Sequence, residues 1–339
     1  MPTKVLVTGG AGYIGSHTCL SLLEAGYSVV SIDNYSNSSP IALKQVELLT
    51  GKEILKITGD FSDVNFIEKI LTEQQVEQVI HFAGLKAVGE SVQNPLAYYH
   101  NNVTSTVNLC QAMKNVGVKD LVFSSSATVY GSPDSVPIHE GFNRSAENPY
   151  GRSKLTLEYI LEDLYHSDNE WNIALLRYFN PVGAHISGKI GEDPLGPPNN
   201  LMPFIAQVAV GRRPYLSVFG GDYPTPDGTG VRDYIHVMDL ALGHVKALTW
   251  LQSNPTIQAF NLGTGIGYSV LDMLKAFEES CGETIPYKIV ARRPGDIAIC
   301  YADTSLAEKK LDWKAKRSLS DMCSDTWNWQ KNNPNGYIR

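Results

Sequence analysis

The chain has 339 residues, 43% of them hydrophobic, with five cysteines and a formal net charge of -7. That length and apolar content suit one large or two moderate globular domains able to bury a core without covalent staples. The acidic balance argues against a nucleic-acid partner, and the odd cysteine count without a C-x-x-C argues against a disulfide framework or zinc knuckle; the histidines show no metal-ligand spacing, and no apolar run reaches the length of a membrane span.

In chain order, Val5-Leu6-Val7 reads as a first strand, begun at Lys4 and closed at once by glycines. Residues 14–23 follow as a helix, with Ile14, Cys19, Leu22 and Leu23 on one face. Residues 29–33 form a second strand ending in an acid, 54–57 a third, 64–71 a helix and 79–82 a fourth strand. Pro95 suits the first turn of a helix running to about Val116. Residues 121–123, 150–164 and 173–176 continue the alternation as strand, helix and strand. The rhythm predicts an α/β fold with a Rossmann-type, doubly wound parallel sheet and helices on both faces. Short, almost wholly apolar strands fit that buried setting.

The texture changes after Asn180: residues 188–203 and 223–230 are rich in turn formers. Between and beyond them we expect a helix at 202–210, a strand at 216–219, a helix at 239–251 and one more strand of the main sheet at 260–262. Further helices are expected after Ser269, near 305–311 and at 318–329. The pattern predicts a smaller C-terminal α/β substrate lobe whose chain crosses back to the sheet. Residues 1–180 and 235–263 form the first unit in this reading, and 181–234 and 264–339 the second. A first strand at Lys4 with no preceding apolar segment, and thiols without pairing signals, make a cytoplasmic protein the expectation.

Two motifs carry chemistry. Thr8-Gly9-Gly10-Ala11-Gly12-Tyr13-Ile14-Gly15 closes a strand and opens a helix. Glycines there let backbone approach a pyrophosphate, whose charge suits a helix N-terminus. Asp33 ends the second strand, where a carboxylate accepts from a ribose 2′-hydroxyl and repels a 2′-phosphate; no arginine follows before Arg144, so NAD is favoured over NADP. Asp60 and Phe61, ending the third strand, are candidates to flank the adenine, and Phe82-Ala83-Gly84-Leu85-Lys86 follows the fourth, at the carboxyl end where ligands bind. The second motif is Tyr150-Gly151-Arg152-Ser153-Lys154, with Ser124-Ser125-Ser126-Ala127-Thr128 upstream. Positions i and i+4 share one helix face, so the Lys154 ammonium is expected near the Tyr150 hydroxyl. A free phenol has a pKa of about 10; a nearby cation favours the phenolate and makes it a usable base. Together the motifs read as hydride chemistry on an alcohol.

The set resembles the extended short-chain dehydrogenase/reductase family. Residues 81–91 (HFAGLKAVGES), 177–184 (RYFNPVGA) and 230–237 (GVRDYIHV) narrow the resemblance to the UDP-hexose 4-epimerases, over essentially the whole chain. The resemblance implies a tightly held NAD, reversible 4-epimerisation of UDP-glucose and UDP-galactose through a 4-keto intermediate, and a homodimer. Tyr150, Lys154 and Ser126 are then the catalytic residues. The implied NAD contacts are Gly9, Gly12, Tyr13, Ile14, Gly15, Asp33, Asn34, Asn37, Ser38, Asp60, Phe61, Phe82, Ala83, Gly84, Lys86, Asn101, Ser124, Tyr150, Lys154 and Phe179. Arg232 and Arg293 are implied to grip the diphosphate, Asn180 the sugar–phosphate, and Asn200, Leu201, Ser217, Val218 and Phe219 the uridine. Asp296 is implied to take the ribose. Lys86, Ser126, Tyr150, Tyr178, Phe179, Tyr234, Val270 and Cys300 complete the implied substrate site. In the family, a small residue at the position of Cys300 admits an N-acetyl group, so UDP-GlcNAc and UDP-GalNAc are expected substrates too. A 4,6-dehydratase of the same superfamily needs an Asp-Glu pair that Ala127-Thr128-Val129 does not supply. A simple dehydrogenase that releases NADH stays open on the residues alone. A nonenzymatic NAD-binding protein has no need of both Tyr150 and Lys154.

Overall fold

Val5 and Val7 of the first strand face one core while Leu6 between them faces another. That alternation is the period-two geometry of a strand buried on both sides, and it organises the whole molecule. The computed structural model describes residues 2–193, 195–196, 198–293 and 295–337.

The first stretch of chain alternates β1 (Lys4–Thr8), α1 (Tyr13–Glu24), β2 (Ser28–Asp33), α2 (Pro40–Thr50), β3 (Leu55–Thr58), α3 (Val64–Glu73) and β4 (Gln78–His81). Two short helices, α4 (Val88–Gln93) and α5 (Pro95–Tyr98), lead through a π-helical turn (Tyr99–Thr104) into α6 (Ser105–Val116). Next come β5 (Asp120–Ser126), a 3₁₀ turn (Ala127–Tyr130), α7 (Pro149–Ser167), β6 (Asn172–Tyr178) and β7 (Asn180–Val182). The remainder holds α8 (Leu201–Ala209), β8 (Leu216–Phe219), β9 (Val231–His236), α9 (Val237–Leu251), β10 (Ile257–Leu262), β11 (Gly267–Ser269), α10 (Val270–Cys281), β12 (Tyr287–Val290), β13 (Ile299–Cys300), α11 (Ser305–Leu311) and α12 (Leu319–Asn332).

The main sheet is Rossmann-type, seven-stranded and parallel, in the order β10-β6-β5-β4-β1-β2-β3. Helices α1, α2 and α9 cover one face, where Val5, Val7, Ile80 and Val122 point. Helices α3, α6 and α7 cover the other, over Leu6, Val79, Leu121 and Phe123. Each fully buried Leu, Ile or Phe in these cores contributes about 1.5–3 kcal/mol by burial. A smaller sheet pairs β9 with β7, β11 and β13, and β8 pairs with β12. Helices α8, α10 and α12 pack over these around Met202, Ile205, Met273 and Phe277.

Most expected elements are found within a residue or two. The expected single helix from Pro95 to Val116 is instead interrupted by the π-helical turn. Helix α2 was not expected, although Ser39 caps it by accepting from the Ile41 amide and Pro40 occupies its first position, a strong start signal. Strands β9 and β12 were also unexpected. Their charged residues hide the pattern: in β9, Asp233 is fully buried, and β12 is an exposed edge.

Candidate active site

The carboxyl ends of the parallel strands open into a cleft of about 740 Å³. At its floor, α1 starts at Gly12 with no side-chain cap and no acid in its first turn, so its free amides and positive dipole end face the cleft. Side chains are excluded from this loop. A Cβ on Gly9, which has φ +70°, would stand 2.9 Å from the Ala83 nitrogen, and one on Gly15 would stand 2.3 Å from the Gly9 carbonyl. Gly9, Gly12, Tyr13, Ile14 and Gly15 all line the cleft.

Asp33 closes one end of the cleft. Its Oδ2 accepts from the Ala11 amide at 3.0 Å, and its Oδ1 from the Tyr35 amide at 2.9 Å and the Ser38 hydroxyl at 2.8 Å. The carboxylate therefore shapes the glycine loop, and with three acceptor positions filled it keeps capacity for a further donor. Asn34, Asn37, Ser38, Phe61, Phe82, Ala83, Gly84, Lys86, Asn101, Ser124 and Phe179 also line the cleft. Asp60 does not: its Oδ1 accepts from the Ser62 amide at 2.8 Å, and the cleft wall here is Gly59 and Phe61.

Tyr150, Lys154 and Ser126 meet on the cleft wall where β5 ends and α7 begins. Asn148 caps α7 by accepting from the Gly151 amide at 2.8 Å, and Pro149 stands at its first position. Burial pushes the Tyr150 phenol up, and the Ser126 hydroxyl beside it draws it back down. Ser126 Oγ itself accepts from the Thr128 amide at 3.2 Å and pairs with the Thr128 hydroxyl at 3.0 Å. No hydrogen bond joins Lys154 to the Tyr150 hydroxyl. The ammonium donates to the Ser124 carbonyl at 2.7 Å and lies 4.8 Å from the Phe123 ring centroid. Burial lowers Lys154 to about 8, partly offset by Glu158. In this state the phenol is set by burial and Ser126, and the cation lies alongside.

Toward the smaller lobe the cleft continues into a second cavity of about 150 Å³; the two share Asn180, Asn200, Arg232 and Asp296. Leu201, Ser217, Val218, Phe219, Tyr234, Val270 and Arg293 line this second part. Arg232 donates to the Val231 carbonyl at 2.8 Å. Arg293 forks onto Asp296 (Nε–Oδ2 2.8 Å, Nη2–Oδ1 3.3 Å) and lies 4.8 Å over the Phe219 ring. Two groups expected to hold different parts of one ligand thus satisfy each other. Burial pushes the Tyr234 phenol up to about 12, opposed by Arg232 and Arg293. Tyr178 lines the cleft, and its hydroxyl pairs with His244 Nε2 at 2.5 Å. It therefore braces α9 rather than presenting a free hydroxyl. Cys300 is 9% exposed and lines the cleft beside Phe179. Among the described residues no cluster of three His, Cys, Asp or Glu is arranged to hold a metal ion, and no helix is long and apolar enough to cross a membrane.

Residues 6–326 match the family model described as GDP-mannose 4,6 dehydratase. A UDP-glucose 4-epimerase of Bacillus subtilis is 61% identical over 333 residues, covering 98% of both chains. The crystal structure of UDP-glucose 4-epimerase from Bifidobacterium longum in complex with NAD+ and UDP superposes with a TM-score of 0.96 at 55% identity, over 99% of this chain and 100% of that one. The chain belongs to the extended short-chain dehydrogenase/reductase family, among the UDP-glucose 4-epimerases. A UDP-Glc/GlcNAc 4-epimerase from Campylobacter jejuni is similar too, with a TM-score of 0.84 at 35% identity over 97% of this chain and 99% of that one.

Within this epimerase framework the structure adds residues that the sequence did not point to. Glu192 lines the cleft opposite Lys86, 3.4 Å from its ammonium, and accepts from the Asn200 amide group at 3.0 Å. The same stretch reaches across the cleft, where the Leu195 amide donates to Asn37 Oδ1 at 3.2 Å and the Trp329 indole to the Glu192 carbonyl at 3.3 Å. Asn102, in the π-helical turn, grips the Leu85 amide at 2.8 Å and the Leu85 carbonyl at 2.9 Å, fixing the loop after β4. The π-helical turn itself is a local cue to function, yet nothing in the residue pattern announces it. NAD fits the donor set: uncapped α1 amides for its pyrophosphate, Asp33 beyond them and Lys154 toward the catalytic wall.

Proposed function

We propose that this chain interconverts UDP-glucose and UDP-galactose by reversible inversion at the sugar C4, through a 4-keto intermediate. The observation that carries the reading is a single continuous cleft, in which the glycine loop, the Tyr150/Lys154/Ser126 wall and the Arg232/Arg293 pocket follow one another. Bound NAD supplies the hydride acceptor and then the donor. Tyr150 takes the proton of the 4-hydroxyl and later returns it, with Ser126 orienting that oxygen and sharing the proton. Lys154 holds the nicotinamide ribose and adds positive charge beside the phenolate. Arg232 and Arg293 hold the diphosphate in bidentate fashion, which requires Arg293 to leave Asp296, freeing that carboxylate for the ribose. Phe219 and its neighbours take the uridine. Firm binding of the nonreacting nucleotide leaves the hexose free to turn and present its other face.

The test uses the purified protein: bound NAD is read by absorbance, and UDP-galactose is added. Formation of UDP-glucose without net NADH is the expected result. Accumulating NADH would instead select a dehydrogenase, and loss of water a dehydratase.

Four finer readings accompany this one. The small, buried Cys300 beside Phe179 supports turnover of UDP-GlcNAc and UDP-GalNAc as well. Val88, Val92, Leu96, Val107 and Tyr159, exposed on α4 to α7, support a homodimer formed through these helices; a monomeric mass in scattering at micromolar concentration would contradict it. Residues 1–180 with 235–263, and 181–234 with 264–339, are read as the nucleotide and substrate units. Five unpaired cysteines suit a cytoplasmic setting.

A further inference from the structure

Glu158 lies one helical turn beyond Lys154 on α7 and is fully buried. Four donated hydrogen bonds reach its carboxylate. Oε1 accepts from the Ser125 hydroxyl at 2.5 Å and Arg177 Nε at 2.9 Å. Oε2 accepts from Arg177 Nη2 at 2.7 Å and Arg144 Nη1 at 3.1 Å. These donors come from β5, from β6 and from the loop between the 3₁₀ turn and α7. Ser125 sits between Ser124, whose carbonyl holds Lys154, and Ser126. Arg144 is anchored from outside by Glu162, at 2.7 and 3.1 Å.

We infer that Glu158 is a positioning residue for the proton-transfer wall, pinning α7 to β5 so that Lys154 and Tyr150 stay in register with Ser124 and Ser126. The inference rests on the proposed epimerase reaction and deepens it. A buried ion pair gives little net stability over apolar packing, and its value here is geometric. The carboxylate ties α7, which carries Tyr150 and Lys154, to three separate pieces of chain, one of which, β5, carries Ser126. Misplacement of reacting groups by about 1 Å can cost about a hundredfold in rate.

The carboxylate also acts through charge. Around Lys154, α7 supplies Tyr150 and Glu158, and on the same cleft α4 supplies Glu90, already bonded to Tyr98 of α5. From β4 comes His81, held neutral by burial, and from β6 Tyr178 and Arg177, while Arg144 lies behind Glu158. β5 presents only the Ser124 carbonyl and the Phe123 ring. Glu158 is the acid that raises Lys154 against its burial. Replacing it with a neutral residue removes that charge and leaves the Arg177 guanidinium without its carboxylate, while Arg144 keeps Glu162; both changes favour the neutral amine.

The experiment compares wild type, Glu158→Gln, Glu158→Asp and Glu279→Gln, each carrying its bound NAD, with UDP-galactose turnover followed across pH. Wild-type turnover tests the proposed reaction itself. For Glu158→Gln, kcat is expected to fall about ten- to a hundredfold, with KM and UDP affinity within about twofold of wild type. Its alkaline limb should move to lower pH. Glu158→Asp keeps the charge and should return the limb to its wild-type position even where kcat stays reduced. Glu279→Gln, an exposed acid on α10, should match wild type. Unchanged kcat and an unmoved limb in Glu158→Gln overturn the inference, as does a loss shared equally by kcat and UDP affinity. Should Glu158→Gln fail to fold, Ser125→Ala decides: a several-fold loss in kcat at constant KM supports the inference, and wild-type kcat overturns it.

Discussion

Tyr150 has one function that Phe cannot perform, and the ring itself sits in a wall built by other residues. Tyr150→Phe is therefore expected to keep its NAD, read by absorbance of the folded protein, while kcat falls by about 10²–10⁴. Full-speed epimerisation by that variant would remove the phenol from the reaction. At Cys300 the question is size. Cys300→Tyr is expected to lower turnover of N-acetylated UDP-sugars relative to the plain hexoses, and an unchanged ratio would show that Cys300 only packs against Phe179. Tyr150 and Lys154 were legible because motif spacing on a strand–helix frame survives folding unchanged, whereas Cys300 came only from the family resemblance. Glu192 went unnoticed for the opposite reason: it lies on a crossing segment whose composition says only that it is a loop.

Helix α7 carries the proposed catalytic pair, Tyr150 and Lys154, so its first turn matters more than its length suggests. Asn148→Ala removes the cap that accepts from the Gly151 amide, and we expect a loss of about 1 kcal/mol in stability. A melting temperature unchanged from wild type would show that solvent caps the helix equally well. In the π-helical turn, Asn102→Ala strands both polar groups of Leu85. The expected cost is about 1–3 kcal/mol, with faster NAD loss measured by absorbance after gel filtration. Long amphipathic or apolar elements of the parallel sheet were readable from periodicity alone. The extra residue per turn in 99–104, the buried charge in β9 and the solvent-facing β12 were not, because each departs from the period that reveals its neighbours.

At the scale of the molecule, several histidines are folded away in their neutral form. Burial lowers His17 and His81 from 6.5 to about 3 and His244 to about 4. Below 6.5 the unfolded chain binds protons that the native one refuses, so stability is intact above that pH and declines as pH falls toward 3 to 4. The melting temperature is expected to drop steadily between pH 7 and pH 5, and a flat profile there would contradict the buried neutral assignments. The chain path has its own consequence. β6 gains its outer partner only when β10 (Ile257–Leu262) arrives, after α8, β8, β9 and α9 have been made. On the ribosome the seven-stranded sheet is complete only once residue 262 has been made, and NAD retention is expected no earlier. A chain stalled before residue 257 should emerge unable to retain the dinucleotide.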